Sequence, residues 1–254
     1  LAPLLFFAPV TLGGRTLLPA DNLYQYEPWA SARAEQGVPE IPHNALLSDL
    51  VFQNYQWKIY LRESLVEREI PLWQANQFAG TPFLAQGQHS ALYPFSLLYY
   101  VLPLSAAYGW FTVSQLALAG IGLFFYLRAL GLGRMATFCG SLAYQLSSFW
   151  VVSSVHPMIQ ASAAWLPFLL LTVEWGTAET HPLARLAPRL GRAPYIILGG
   201  GFLGLIFLGG HVEIAYYSLL VAAFYAAFRL FAQLCQGGGC LLYTSDAADE
   251  GLGV

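Results

Sequence analysis

Charge is scarce in this chain. Its 254 residues include eleven basic and fourteen acidic side chains, 10% in all, against 57% hydrophobic residues and a mean hydropathy of +0.52. A soluble globular domain carries about 25% charged residues, so this composition excludes one and points to an integral membrane protein. Cysteine is nearly missing as well. Of the three present, Cys139 lies in an apolar run, Cys235 near the end of another and Cys240 in the C-terminal tail, which leaves neither a disulfide framework nor a thiolate metal spacing. No zinc-protease motif, nucleophile elbow, P-loop or dinucleotide fingerprint occurs, and the common soluble catalytic classes go with them.

Net charge excludes little. Residues 240–250 read Cys-Leu-Leu-Tyr-Thr-Ser-Asp-Ala-Ala-Asp-Glu, which looks like the translation of a transposon-type sequencing adapter, and the 240–254 tail is set aside from fold reasoning on that ground. Without Asp246, Asp249 and Glu250 the formal charge of -3 becomes zero, and no argument for a nucleic-acid partner survives. The chain also begins at Leu1 in an apolar run, so it reads as a fragment of a longer polytopic protein.

What the chain does have is apolar length. About 20 apolar residues cross a bilayer core. Residues 1–12 read as the end of a first span, and further spans are expected near 109–130, 135–155, 157–173, 194–210 and 212–234. No charge separates Arg134 from Glu174, and the 39 residues between them would be about 58 Å long as one helix, so the chain must turn, most naturally at His156-Pro157. The segment 92–104 carries Pro94 and Pro103 and is too short to cross; it reads as interfacial or re-entrant. The Gly199-Gly200-Gly201 and Gly204 cluster, inside an apolar span, suits close helix packing. The expected fold class is an all-α polytopic membrane protein, with a bundle over 109–239 and one large loop, 13–108, holding amphipathic helices.

Basic residues orient it. Arg128 and Arg134 flank one short connection, Arg185, Arg189 and Arg192 another, and Arg229 the last helix end, which makes those sides cytoplasmic. The 13–108 loop, the His156 turn and the turn at Gly209-Gly210-His211-Val212-Glu213 then share the outer face of the membrane.

Inside that loop one pattern occurs twice: Asp21, Tyr24, Gln25, Trp29 and Asp49, Phe52, Gln53, Trp57. On an α-helix, positions i, i+4 and i+8 line one face, so Asp, Gln and Trp would project together. Ser48 suits an N-cap for the second copy, whereas Pro28 interrupts the first. Asp21 and Asp49 are the candidate catalytic carboxylates. Bland readings stand beside them: a turn former for Asp21, a first-turn acid for Asp49, an interfacial belt for the Trp and Tyr residues, polar turn residues for His156 and His211.

The run Leu47-Ser48-Asp49-Leu50-Val51-Phe52-Gln53, Trp57, then Ile70-Pro71-Leu72-Trp73, Phe78-Ala79-Gly80-Thr81-Pro82-Phe83, Gln86-Gly87-Gln88, Tyr93-Pro94, Ala164-Trp165-Leu166-Pro167 and Gly210-His211 resembles the YfhO-type bacterial membrane proteins. That family is similar in layout to the GT-C glycosyltransferases: a first span, a large extracytoplasmic loop bearing an acid, then a helical bundle. The resemblance implies a glycosyltransferase of the bacterial cytoplasmic membrane that moves a sugar from a polyprenyl-phosphate donor to a cell-envelope acceptor. It places Asp21, just after the first span, as the first catalytic candidate and Asp49 as the second. Lys58 and Arg62, with Arg15, are the available phosphate partners. Gln25, Gln53, Gln86, Gln88 and His89 could bond sugar hydroxyls, and His156, His211 and Glu213 would line the same outer face. Asn22 follows Asp21 where a second acid would make a divalent-metal pair, so reactions with and without a metal both stay open. A lipid-linked sugar flippase and a noncatalytic envelope assembly protein are the alternatives.

Overall fold

The long apolar runs close into helices because a backbone in lipid has no water to satisfy its N–H and C=O groups. A computed structural model of the chain describes residues 1–178 and 191–237. Among these residues regular structure is helical, apart from one isolated bridge between Gln74 and Thr81. The main helices are α1 (Tyr55–Glu67) in the loop, α2 (Leu104–Ala129), α3 (Arg134–Gln145), α4 (Pro157–Ala163), α5 (Leu166–Thr177), α6 (Ala193–Leu208) and α7 (Val212–Gly237). Among the described residues three stretches are long and apolar enough to cross a membrane: Leu104–Ala129, Pro157–Thr177 and Val212–Cys235; Ala193–Leu208 is shorter. The chain is an all-α membrane protein.

Helix α2 is the axis of the bundle. It starts directly after Pro103 and stops where Gly131, at φ 87°, takes the left-handed conformation that lets its N–H reach back to the Arg128 carbonyl. Toward its end at Leu104, Leu104, Ala107, Tyr108 and Phe111 bury against Leu50, Tyr93 and Tyr99 of the loop and Ala161 of α4. Farther along, Val113, Leu116 and Ala119 pack with Phe7, Trp150, Ala163 and Ala164. A polar chain runs through the wall between loop and bundle: the Trp165 indole donates to the Tyr93 hydroxyl at 2.9 Å, which donates to Gln115 Oε1 at 2.6 Å.

Several expected elements take a different form. The 135–155 stretch is not one span: α3 ends at Gln145, Ser147 adopts an extended ψ of 160°, and a short helix Ser148–Val152 restarts before the 3-10 turn Ser153–Val155. Serine hydroxyls compete for backbone groups and favour such interruptions. The 157–173 stretch is two helices in near continuation, broken before Pro167, which has no N–H to continue the ladder. Of the glycine cluster only Gly199 lies close to a neighbour, Thr172; added methyls on Gly200, Gly201 and Gly204 would meet open space. Within 92–104, the 3-10 turn Pro94–Ser96 and the five-residue helix Leu97–Val101 lead into α2.

The two copies of the Asp-aromatic-Gln-Trp pattern also diverge. The first is a 3-10 helix, Ala20–Gln25, that ends at an extended Tyr26, so Asp21, Gln25 and Trp29 do not share an α-helical face. The second enters through a 3-10 turn, Ala45–Leu47, rather than a Ser48 cap, and passes through a π-helical turn, Leu50–Asn54, before α1. The wider turn separates the pattern: Trp57 is buried with Leu61 and Phe83, while Asp49 and Gln53 stay exposed.

The two ends of the bundle differ in chemistry. At one, the loop seals onto the turns before α4 and before α7. At the other, Glu174 of α5 pairs with Arg229 of α7 at 3.0 Å and accepts the Tyr225 hydroxyl at 2.5 Å. Arg185, Arg189 and the 240–254 tail lie outside the described residues.

A candidate substrate groove at the loop end

Two adjoining cavities open where the loop meets the helix turns. The first, of about 180 Å³, is lined by Asp49 and Gln53 from the π turn, Gln88 from the loop, His156 before α4 and His211 before α7, over a floor that includes Leu50, Asn54 and Met158. The second, of about 470 Å³, shares Gln88 and His211 and adds Gln86, Gly210 and Glu213. Seven of the residues singled out from sequence therefore come together: Asp49, Gln53, Gln86, Gln88, His156, His211 and Glu213.

Each is held by ordinary backbone chemistry. His211 sits at the entry to α7, where its Nδ1 accepts the Ile214 N–H at 3.3 Å, so the neutral ring carries its proton on Nε2. Its own N–H donates to Ser162 Oγ at 3.2 Å, tying α7 to α4. Burial lowers the His211 pKa; Glu213 opposes that and nearby His156 adds to it. A neutral His211 offers a donor at neutral pH. Asn54, beneath the groove, accepts the Tyr108 hydroxyl at 2.8 Å, which fixes the π turn to α2.

Gln86 and Gln88 ride on an arch, residues 83–91, clamped from two directions. Ser90, at φ 54°, donates its hydroxyl to the Gly209 carbonyl at 2.7 Å. From the other side Lys58 of α1 donates its amine to the His89 carbonyl at 2.5 Å and lies 4.3 Å from the centre of the Tyr99 ring. The His89 ring stacks on Phe83 and closes the arch at both feet, taking the Ala91 N–H on Nδ1 and donating Nε2–H to the Phe83 carbonyl. Burial pushes the Lys58 pKa down to about 7 and, with the charge of Lys58 nearby, the His89 pKa down to about 4, against the hydrogen bond to Phe83. Gly210, at φ 91°, is where arch and turn touch most closely: a methyl there would come 2.5 Å from the Gly87 carbonyl oxygen. Gly210→Ala is expected to lower the thermal unfolding midpoint and to cost about 1–3 kcal/mol, from the left-handed backbone and the collision together; thermal unfolding in detergent, followed by tryptophan fluorescence, measures it.

Six singled-out residues sit elsewhere, among them Arg15, which is exposed and lines neither cavity. Asp21 accepts both the backbone N–H of His43, at 2.8 Å, and its ring Nδ1, at 2.9 Å. Burial tends to raise the Asp21 pKa, but the bonds and charge from His43 outweigh it and hold the carboxyl below its usual value. His43, the partner sequence reading missed, lies 22 residues away with no periodic relation to Asp21. Gln25 is exposed and lines neither cavity. Lys58 and His89 are buried in the arch, and Arg62 points its guanidinium at the Leu102 carbonyl, 3.4 Å away. No Lys or Arg lines either cavity. Among the described residues no three His, Cys, Asp or Glu side chains converge as metal ligands.

No curated protein and no solved structure matches the chain. The family model described as "Bacterial membrane protein YfhO" matches residues 34–182, a stretch that holds Asp49, Gln53, the whole arch and His156 but begins after Asp21 and ends before His211. With more than half its length matched and its helices apolar enough to cross a bilayer, the chain belongs to the YfhO family of bacterial membrane proteins.

Proposed function

We propose that the groove is the sugar-handling part of a membrane glycosyltransferase that uses a polyprenyl-phosphate donor and an acceptor outside the cytoplasmic membrane. The observation that carries this reading is the convergence of Asp49, Gln53, Gln88, His156 and His211, from four separate segments of the chain, on one cavity beside the ends of helices apolar enough to cross a membrane. A prenyl-linked donor has its tail in lipid and its sugar at the interface, and a cavity beside the ends of helices apolar enough to cross a bilayer suits such a donor. Carboxylate, amide and imidazole groups without lysine or arginine suit a neutral polyhydroxylated ring.

The chemistry follows from these groups. An acceptor hydroxyl attacks the anomeric carbon while Asp49 takes its proton; the bond from that carbon to the phosphate oxygen breaks, and the prenyl phosphate leaves with the electron pair. The Nε2–H of His211 is available to the leaving oxygens. Gln53, Gln86 and Gln88 bond the sugar hydroxyls. Asp21 takes the role of holding the loop through His43, and the basic turns face the cytoplasm.

The test is transfer by the full chain, reconstituted in vesicles with a radiolabelled sugar on polyprenyl phosphate and an envelope glycolipid acceptor. Label is expected in a new glycosidic bond. Movement of the donor across the bilayer with no such bond would replace this reading with a flippase.

A further inference from the structure

From the last turn of α1 onward the chain exposes a series of large apolar side chains that no core absorbs. Val66 is 83% exposed, Ile70 73% and Phe78 90%, with Leu65, Leu72 and Trp73 also exposed. Phe78 stands at the tip of a tight hairpin closed by paired backbone bonds between Gln74 and Thr81, at 2.9 and 3.0 Å. Phe78 and Ala79 both hold positive φ, 51° and 62°, a conformation that side chains with a Cβ rarely take. The Trp73 indole covers Gly80 so closely that a methyl there would sit 2.6 Å from Nε1, and the Tyr60 hydroxyl anchors the Trp73 carbonyl at 2.9 Å. Strained backbone is thus spent on holding a phenylalanine outward.

The level of this patch is set by Arg62. Its guanidinium reaches the carbonyl of Leu102, two residues before α2 begins. Leu65 and Val66 lie one helical turn beyond Arg62 on the same side of α1, and Leu97 and Val101, in the short helix before α2, are exposed as well. Exposed apolar side chains in this number, on a segment that Arg62 ties to the foot of a helix long and apolar enough to cross a membrane, face lipid rather than water.

We propose that the segment 65–78 anchors the loop to the same bilayer that the helices cross, with Phe78, Ile70, Leu72 and Trp73 inserted at the boundary between headgroups and acyl chains. The charges at its root, Glu67, Arg68 and Glu69, are acidic in balance, so attachment is apolar and does not depend on anionic lipid. The anchor stands independently of the catalytic reading, since it needs only the membrane.

The experiment places a nitroxide spin label at Phe78→Cys in the full chain with Cys139, Cys235 and Cys240 changed to Ser, reconstituted in phosphatidylcholine vesicles. Collisions with oxygen, which concentrates in lipid, are compared with collisions with a water-soluble nickel chelate. The oxygen-to-nickel ratio at position 78 is expected to be several-fold above that of a label at Gln36→Cys and to approach that at the lipid-facing Phe228→Cys. A label at Ile70→Cys should behave like that at 78. A nickel accessibility at 78 equal to that at 36 would overturn the proposal, and so would shielding from both reagents, which would mean that protein covers the patch.

Discussion

Asp49→Asn is expected to lower the rate of sugar transfer by about 10²–10⁴, the span attributable to a positioned general base, while leaving the folded yield close to that of the unsubstituted chain. Asparagine keeps the shape of the side chain and removes only its ability to take a proton. Asp49 is exposed at the groove and makes no hydrogen bond that its loss would break, so the fold has little stake in its charge. Asp21→Asn should behave the other way. Its carboxylate accepts two bonds from His43, one of them from the backbone, and the expected result is a transfer rate within a few-fold of normal with a lowered unfolding midpoint. Initial rates at saturating donor, with the folded fraction measured by gel filtration in detergent, separate the two. Equal loss of rate in both variants would return Asp21 to the reaction itself.

The proposed ordering of the two aspartates rests on local geometry that the sequence pattern does not carry. Pro28 already marks an interruption of the first copy, but the sequence pattern spells neither the 3-10 form of that copy, ended by an extended Tyr26, nor the π turn at Leu50–Asn54 that turns Trp57 inward. Neither form has a distinct periodicity in apolar residues. Helices were legible where composition alone decides: α2, the Pro157–Thr177 pair and α7 follow the apolar runs within a few residues. The expected convergence of the loop, the His156 turn and the His211 turn on one end of the bundle came from charge placement, and those three do share one cavity. Lys58 shows the opposite case. A lysine in a hydrophilic loop reads as solvated, yet it is 1% exposed because α1 rolls Trp57, Lys58 and Leu61 onto the arch. A side chain's depth depends on what packs over it, which here comes from residues 83–99.

Lys58 is the only lysine in the chain, which makes its burial measurable without interference from another lysine. Its amine titrates near 7 when folded and near 10.5 when unfolded. Between those values the unfolded chain binds more protons than the folded one, so stability rises with pH across this window and is lost as pH falls toward 7. The slope is at most about 1.4 kcal/mol per pH unit, and the whole rise is on the order of a few kcal/mol. His89, neutral down to about 4, acts in a separate, lower window, between about 4 and its unperturbed value of about 6.5. Unfolding midpoints in detergent at pH 7 and pH 9.5 should therefore differ by several degrees, higher at pH 9.5. Lys58→Met removes the titrating group while keeping much of its volume. The variant should lose most of that difference even though its His89 carbonyl has no amine to accept, and at pH 7 the lost bond is opposed by release from burying a charge. An unchanged pH slope in Lys58→Met would mean that the amine reaches water in the folded protein and that the arch is held by Ser90 and His89 alone.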